Sequence, residues 1–178
     1  MTEITYLFQA SAAACLKARS NTSAGSYPQI AKSWITHWPN LRTLFEYPPD
    51  FKPDTERQIR GLAGVLASPN ACIMVARSAQ GEVIAMCSAQ LVFSTAEGAH
   101  SAWIEDMVVH EAWRRRGIGR QVLEAALAWA SDSGASRAQL LSDLDNQPAL
   151  DYYQHLGWDE TRLIARRLGL QQRPRNSD

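Results

Sequence analysis

Apolar positions set the first landmarks. Ile118, Val122, Ala125, Ala126 and Trp129 fall at i, i+4, i+7, i+8 and i+11. That is one stripe down a helix predicted from Gly117 to Ser131 and ended by Gly134. Three short runs rich in β-formers, Ala71 to Ala76, Val83 to Phe93 and Trp103 to Val109, read as strands. Ser78-Ala79-Gln80-Gly81 reads as the hairpin turn between the first two. Upstream, Asp54 or Thr55 caps a helix running to about Ala67, with Ile59, Leu62, Val65 and Leu66 as its apolar face. Pro28 to Trp38 reads as helical, with Ile30, Trp34, Ile35 and Trp38 on one face. Ile4 to Gln9 suits a short strand, Ala10 to Ala18 a helix, and the Ser/Gly-rich stretch from Asn21 to Pro28 a loop. Downstream, Ala138 to Leu141 is predicted as a strand and Pro148 to Leu156 as a helix closed by Gly157. Trp158 to Leu168 is expected to hold one or two last strands, before a polar, fraying tail from Gln171 to Asp178. Strands and helices alternate only late in the chain. An α/β (α+β) fold follows, with a mixed sheet flanked by helices.

Composition narrows the function classes. Hydrophobic residues make up 46% and charged residues 20% of 178 residues, which suits one folded domain. A domain of that length buries roughly 70% of its unfolded surface and needs no disulfide or metal staple. Eighteen basic and 18 acidic residues cancel, whereas a nucleic-acid binder is normally basic. No apolar run approaches the ~20 residues of a transmembrane helix. Met1-Thr2-Glu3-Ile4 lacks the basic start of a secretory signal. Cys15, Cys72 and Cys87 are odd in number and far apart, with no CxxC and no Cys/His cluster. No metal site, no membrane, no nucleic-acid partner and a cytoplasmic location are therefore expected.

Chemistry concentrates in one segment. The strand Ile104-Glu105-Asp106-Met107-Val108-Val109 leads through His110-Glu111-Ala112-Trp113 to Arg114-Arg115-Arg116-Gly117-Ile118-Gly119-Arg120, which opens the striped helix. A strand, a glycine-containing loop and a helix start make an anion site, because free N–H groups and the helix dipole both favour negative charge there. Gly117 and Gly119 let a phosphate approach the backbone, and the arginines add charge-assisted bonds. The glycines do not have the spacing of the dinucleotide fingerprint, and no Gly-Lys-Ser/Thr marks a P-loop.

The spacing Arg114-x-x-Gly117-x-Gly119 resembles motif A of the GNAT family of N-acetyltransferases. Downstream, Asn146-x-x-Ala149-x-x-Tyr152-Tyr153-x-x-x-Gly157-Trp158 resembles that family's Asn…Ala…Leu-Tyr…Gly-Phe signature, with Trp158 in place of the more frequent Phe. The resemblance covers residues 71–168 well and the first 70 loosely; the latter are read as variable helices on the acceptor side. It implies a single acetyltransferase domain with acetyl-coenzyme A as cosubstrate and a mostly antiparallel sheet splayed between its fourth and fifth strands. By the same resemblance the pantetheine pairs with the backbone of Met107, Val108 and Val109. The pyrophosphate sits on the amides of Arg116 to Arg120, and Asn146 contacts the coenzyme.

Acyl transfer to an amine needs a proton acceptor, a polarised carbonyl and a thiolate that is stabilised on leaving. Glu105 is the first choice for the base, directly or through water; its alternatives are a substrate anchor or a surface charge. Simple alternation puts Trp103, Glu105 and Met107 on one face and Ile104, Asp106 and Val108 on the other, which leaves Asp106 a structural or supporting carboxylate. The resemblance gives Tyr153 the sulfur-facing phenol, with Tyr152 packing in the core, and a backbone N–H of Met107 or Val108 the carbonyl. No cysteine sits in either motif, so direct transfer in a ternary complex is expected. Glu105, Asp143, Asp145 and Asp151 hint at a cationic acceptor, although the two middle aspartates also suit a turn. His110 and His155 read as solvent-facing, and Trp34 and Trp38 as pocket wall or packing. The expected function is N-acetylation of a small-molecule primary amine. A protein or peptide N-acetyltransferase, or a coenzyme sensor without turnover, is the alternative. Dimers are frequent in the family, which leaves a homodimer open.

Overall fold

The computed structural model describes residues 3–6, 32 and 54–169. The expected helices at Ala10 to Ala18 and Pro28 to Trp38, the loop between them, Cys15, Trp34, Trp38 and the tail from Gln171 lie outside the described residues, apart from a helical Lys32. The elements are β1 (Glu3–Tyr6), α1 (Thr55–Ala67), β2 (Ala71–Arg77), β3 (Val83–Ser94), β4 (Ala99–Val109), α2 (Ile118–Asp132), β5 (Ala135–Leu140) and α3 (Gln147–His155). They fall into two compact units that divide after Leu140.

The first unit is built on a five-stranded sheet in the order β1-β2-β3-β4-β5. All neighbours are antiparallel except β4 and β5, which run parallel. Ala71 through Ala76 and Ile84 through Ala89 are buried at every position, so β2 and β3 are covered on both faces. The cover includes α2, which buries Ile118, Val122, Leu123, Ala126, Trp129 and Ala130 and packs on β2, β3 and β4. α1 packs on β2; Asp54 caps it by accepting from the amides of Glu56 and Arg57.

β4 starts four residues before the expected Trp103 and β5 three before the expected Ala138. Ala99 to Ala102 have weak β preference. Pairing with Leu91 to Ser94 on one side and, from His100 onward, with β5 on the other extends the strand over them. The β4–β5 ladder runs from His100↔Ala135 to Ile104↔Leu140 and stops there. Glu105 to Val109 thus continue beyond the end of β5 at Leu140.

The second unit is smaller. Asn146 caps α3 through its side-chain oxygen, which accepts from the Ala149 amide at 3.3 Å. At the other end Gly157 takes φ +83°. The Trp158 amide donates to the Tyr153 carbonyl and the Gly157 amide to that of Gln154, both at 3.0 Å. This is a Schellman closure, and its usual apolar contact is present as the Tyr153 and Trp158 rings, 5.8 Å apart. The strands expected over Trp158 to Leu168 do not form; the stretch has no regular structure, and Leu163, Ile164 and Leu168 are exposed. A strand needs a ladder partner, and no described strand pairs with this stretch.

Candidate active site

The last third of β4 does not follow simple alternation. Glu105 pairs with Ser88 and Val108 with Met86, so Asp106 and Met107 together oppose Cys87. This is a β-bulge, and Asp106 sits in the left-handed region at φ +51°, where Asp is among the few tolerated non-glycine residues. The extra residue reverses the faces beyond it. Val108, not Met107, shares the face of Trp103 and Glu105, which corrects the alternation expected from sequence.

Two polar side chains of β3 reach this part of β4. Gln90 donates from Nε2 to Glu105 Oε2 at 2.6 Å. Ser88 is 1% exposed, and its hydroxyl lies 3.0 Å from the Glu105 carbonyl oxygen and 3.1 Å from Asp106 Oδ2. Glu105 is exposed and Asp106 half-buried. Burial pushes the Asp106 carboxyl above the usual carboxylate range, the neighbouring Glu105 pushes it further, and the Ser88 bond acts against both. Cys87 is pushed up to about 12, by burial first and then by Asp106, so it remains an inert thiol. The sequence does not single out Ser88 or Gln90. Their only signal is polar side chains two apart in an otherwise apolar run, which puts both on one face.

Beyond Val109 the chain makes a tight passage into α2. The His110 ring accepts from the Ala112 amide at 3.1 Å and starts the 3-10 turn Glu111–Trp113, so His110 is a half-buried structural residue rather than a solvent-facing one. Arg114 donates from Nε back to the Val109 carbonyl at 3.1 Å. Arg116 stacks over the Trp113 ring at 4.9 Å. Arg120 pairs with Glu124 at 2.7 Å. Arg114 and Arg116 therefore have partners within the passage itself, and Arg120 has one along α2.

Arg115 and Gly117 both take positive φ, +60° and +75°. Such reversals turn successive backbone amides to one side, the concavity that binds anions. Gly117 is the N-cap of α2, and no side chain caps the first turn, unlike α1 and α3. The amides of Ile118 and Gly119 are among the helix-start donors that intrahelical bonding leaves over. A Cβ built on Gly117 would meet only Gln121 Nε2 at 3.8 Å, so the approach is open. The donor set fits a pyrophosphate-bearing coenzyme.

Glu105, Met107, Val108, Val109 and Arg114 to Arg120 thus form one continuous strand, bulge, loop and helix start in the first unit. Asn146 and Tyr153 belong to the second unit, on α3 and its cap. Tyr152 and Tyr153 are both half-buried, their rings 5.3 Å apart. Asp143 Oδ1 accepts from the Asp145 amide at 3.0 Å, a turn-forming contact, and Asp151 accepts from Gln147 at 2.7 Å. Among the described residues no group of three or more His, Cys, Asp or Glu could hold a metal ion. No described helix is long and apolar enough to cross a membrane.

The model of the acetyltransferase (GNAT) family matches residues 34–158. An aminoglycoside N(6')-acetyltransferase type 1 from Stenotrophomonas maltophilia is 26% identical over 116 residues, 64% of this chain and 76% of that protein. Among solved structures, the aminoglycoside acetyltransferase meta-AAC0020 from an uncultured soil metagenomic sample, in complex with trehalose, matches with a TM-score of 0.66 at 19% identity, covering 96% of this chain and 97% of that one. AAC(6')-Iy in complex with the bisubstrate analog CoA-S-monomethyl-acetylneamine matches with a TM-score of 0.62 at 21% identity, covering 78% and 94%. At those identities the structural likeness is one of fold.

Proposed function

Because the chain belongs to the acetyltransferase (GNAT) family, we propose that it moves the acetyl group of acetyl-coenzyme A directly to a primary amine of a small molecule. The coenzyme supplies the acetyl group activated as a thioester. In this reading the loop and first turn from Arg115 to Arg120 hold the pyrophosphate. The edge of Met107 to Val109, beyond the last β5 partner, takes the pantetheine amides as a β-strand takes a neighbour. Glu105 accepts the proton of the acceptor ammonium, directly or through a water. A backbone N–H of Met107 or Val108 meets the developing oxyanion. The Tyr153 phenol donates a hydrogen bond to the departing thiolate, and Asn146 contacts the coenzyme. Residues 1–178 act as one acetyltransferase domain, in the cytoplasm, where the free thiols of Cys72 and Cys87 are at home.

The observation that carries the reading is the edge of β4 beyond its last β5 partner running into an uncapped helix start, with Glu105 the first residue past that partner. The aminoglycoside N(6')-acetyltransferases among the relatives support a polycationic amine as the acceptor class. The test is acetyl-coenzyme A turnover, followed by thiol release, against aminoglycosides, polyamines, amino acids and short peptides. Saturable transfer to a small amine is expected. Transfer to peptides alone, or tight coenzyme binding with no turnover on any acceptor, would overturn it.

A further inference from the structure

The contacts beneath the β4 bulge need one more hydrogen than an ionised Asp106 allows. The Ser88 hydroxyl approaches two oxygens, the Glu105 carbonyl at 3.0 Å and Asp106 Oδ2 at 3.1 Å. A hydroxyl carries one hydrogen and can accept as well; a carbonyl and an ionised carboxylate only accept. With Asp106 ionised, one hydrogen would serve two acceptors around a side chain that is 1% exposed. With Asp106 protonated, each contact has its own hydrogen. We propose that Asp106 carries a proton at neutral pH and donates it to Ser88 Oγ, while Ser88 donates to the Glu105 carbonyl, so that a neutral relay pins the bulge of the fourth strand.

The surroundings agree. Among the described residues, the ionisable groups acting on the Asp106 carboxyl are the Glu105 carboxylate beside it and the Cys87 thiol across the ladder, the latter neutral at its raised value of about 12. Among the described residues, no basic side chain is seen to act on the Asp106 carboxyl. On α2, Arg120 pairs with Glu124, and Asp132 lies at the far end. On β5, Arg137 pairs with Glu97 at the β3–β4 turn. Asp106 is then a positioning residue: its relay holds the Glu105 backbone, and the bulge turns Met107 away from the Glu105 face. Only this last step rests on the proposed function.

The experiment compares the full chain with Asp106→Asn and Ser88→Ala. Asn tolerates the left-handed backbone and can donate to Ser88 without ionising. Infrared difference spectra at about pH 7, wild type minus Asp106→Asn, should show a protonated carboxyl band, displaced in Ser88→Ala. Thermal unfolding gives a second readout. A raised carboxyl contributes stability that is full below about pH 4, the unfolded value, and is lost as pH rises through the folded value. Asp106→Asn should therefore gain on the wild type as pH rises from about 4. Absence of the band at neutral pH, or an unfolding difference that ignores pH, would overturn the relay. If the band is present and no amine is acetylated, the relay stands and the proposed function falls.

Discussion

Glu105→Gln asks how the acceptor loses its proton. The Glu105 side chain is exposed, and its Oε2 is held by Gln90 at 2.6 Å, which leaves Oε1 as the atom to receive a proton. Gln keeps the shape and a polar contact to Gln90 but has no carboxylate. An alkylamine with a lysine-like pKa of about 10.4 is neutral to roughly 1 part in 10³ at pH 7. Without a base, only that fraction reacts. General bases typically contribute ~10²–10⁴ in rate, and the neutral fraction limits the loss here to about 10³. We expect kcat/KM at pH 7 to fall by about 10²–10³, a barrier increase of roughly 3–4 kcal/mol. The loss should shrink as pH rises, because the variant gains about tenfold per pH unit until the amine itself is neutral. The assay is thiol release at saturating acetyl-coenzyme A from about pH 6 to about pH 10. An unchanged rate at pH 7 with an unchanged pH slope would remove Glu105 as the base.

Gly119→Glu places a carboxylate in the first turn of α2, so coenzyme binding by calorimetry should be lost; near-normal affinity would refute the anion site. Tyr153→Phe should lower kcat with little change in coenzyme affinity, and unchanged turnover would take the phenol out of the mechanism. Gly157→Ala should destabilise the α3 cap by about 1–2 kcal/mol in urea unfolding. The added Cβ meets nothing within 4 Å, so the cost lies in the φ of +83° alone, and an unchanged midpoint would refute the cap as a determinant of stability.

Much of this was legible in the order of residue types. The α2 stripe is a local property of a 3.6-residue period, and four of its five positions, Ile118, Val122, Ala126 and Trp129, are buried, with Ala125 half-buried. Asp54 and Gly157 announced helix ends because capping chemistry is also local. What depends on a distant partner was not legible. Ala99 to Ala102 become strand because neighbours on both sides pair with them, whereas Leu163, Ile164 and Leu168 have apolar character and no ladder. The bulge escapes sequence reading for the same reason. Alternation assumes one residue opposite one, and only the pairing of β3 with β4 shows two opposite Cys87. Ser88 and Gln90 acquire their meaning from what lies across that ladder.

The arginines make a related point. Arg114, Arg116 and Arg120 look alike in sequence, yet one bonds the Val109 carbonyl, one lies over Trp113 and one pairs with Glu124. The first two brace a passage whose backbone, with Arg115 and Gly117 at positive φ, is costly to hold, while the third lies within α2. The proposed anion site is then made mainly of amides, which residue identities announce only through the glycines and the helix start. The same division holds in β4. If β5 ran past Leu140, its ladder would close the edge of Met107 to Val109. If Asp106 were not an extra residue, Met107 would share the face of Glu105. Ending the ladder at Ile104 and placing the bulge two residues later lets one strand give a carboxylate to one face and a backbone edge to its side. Acyl transfer from a bound thioester to an amine needs both at once.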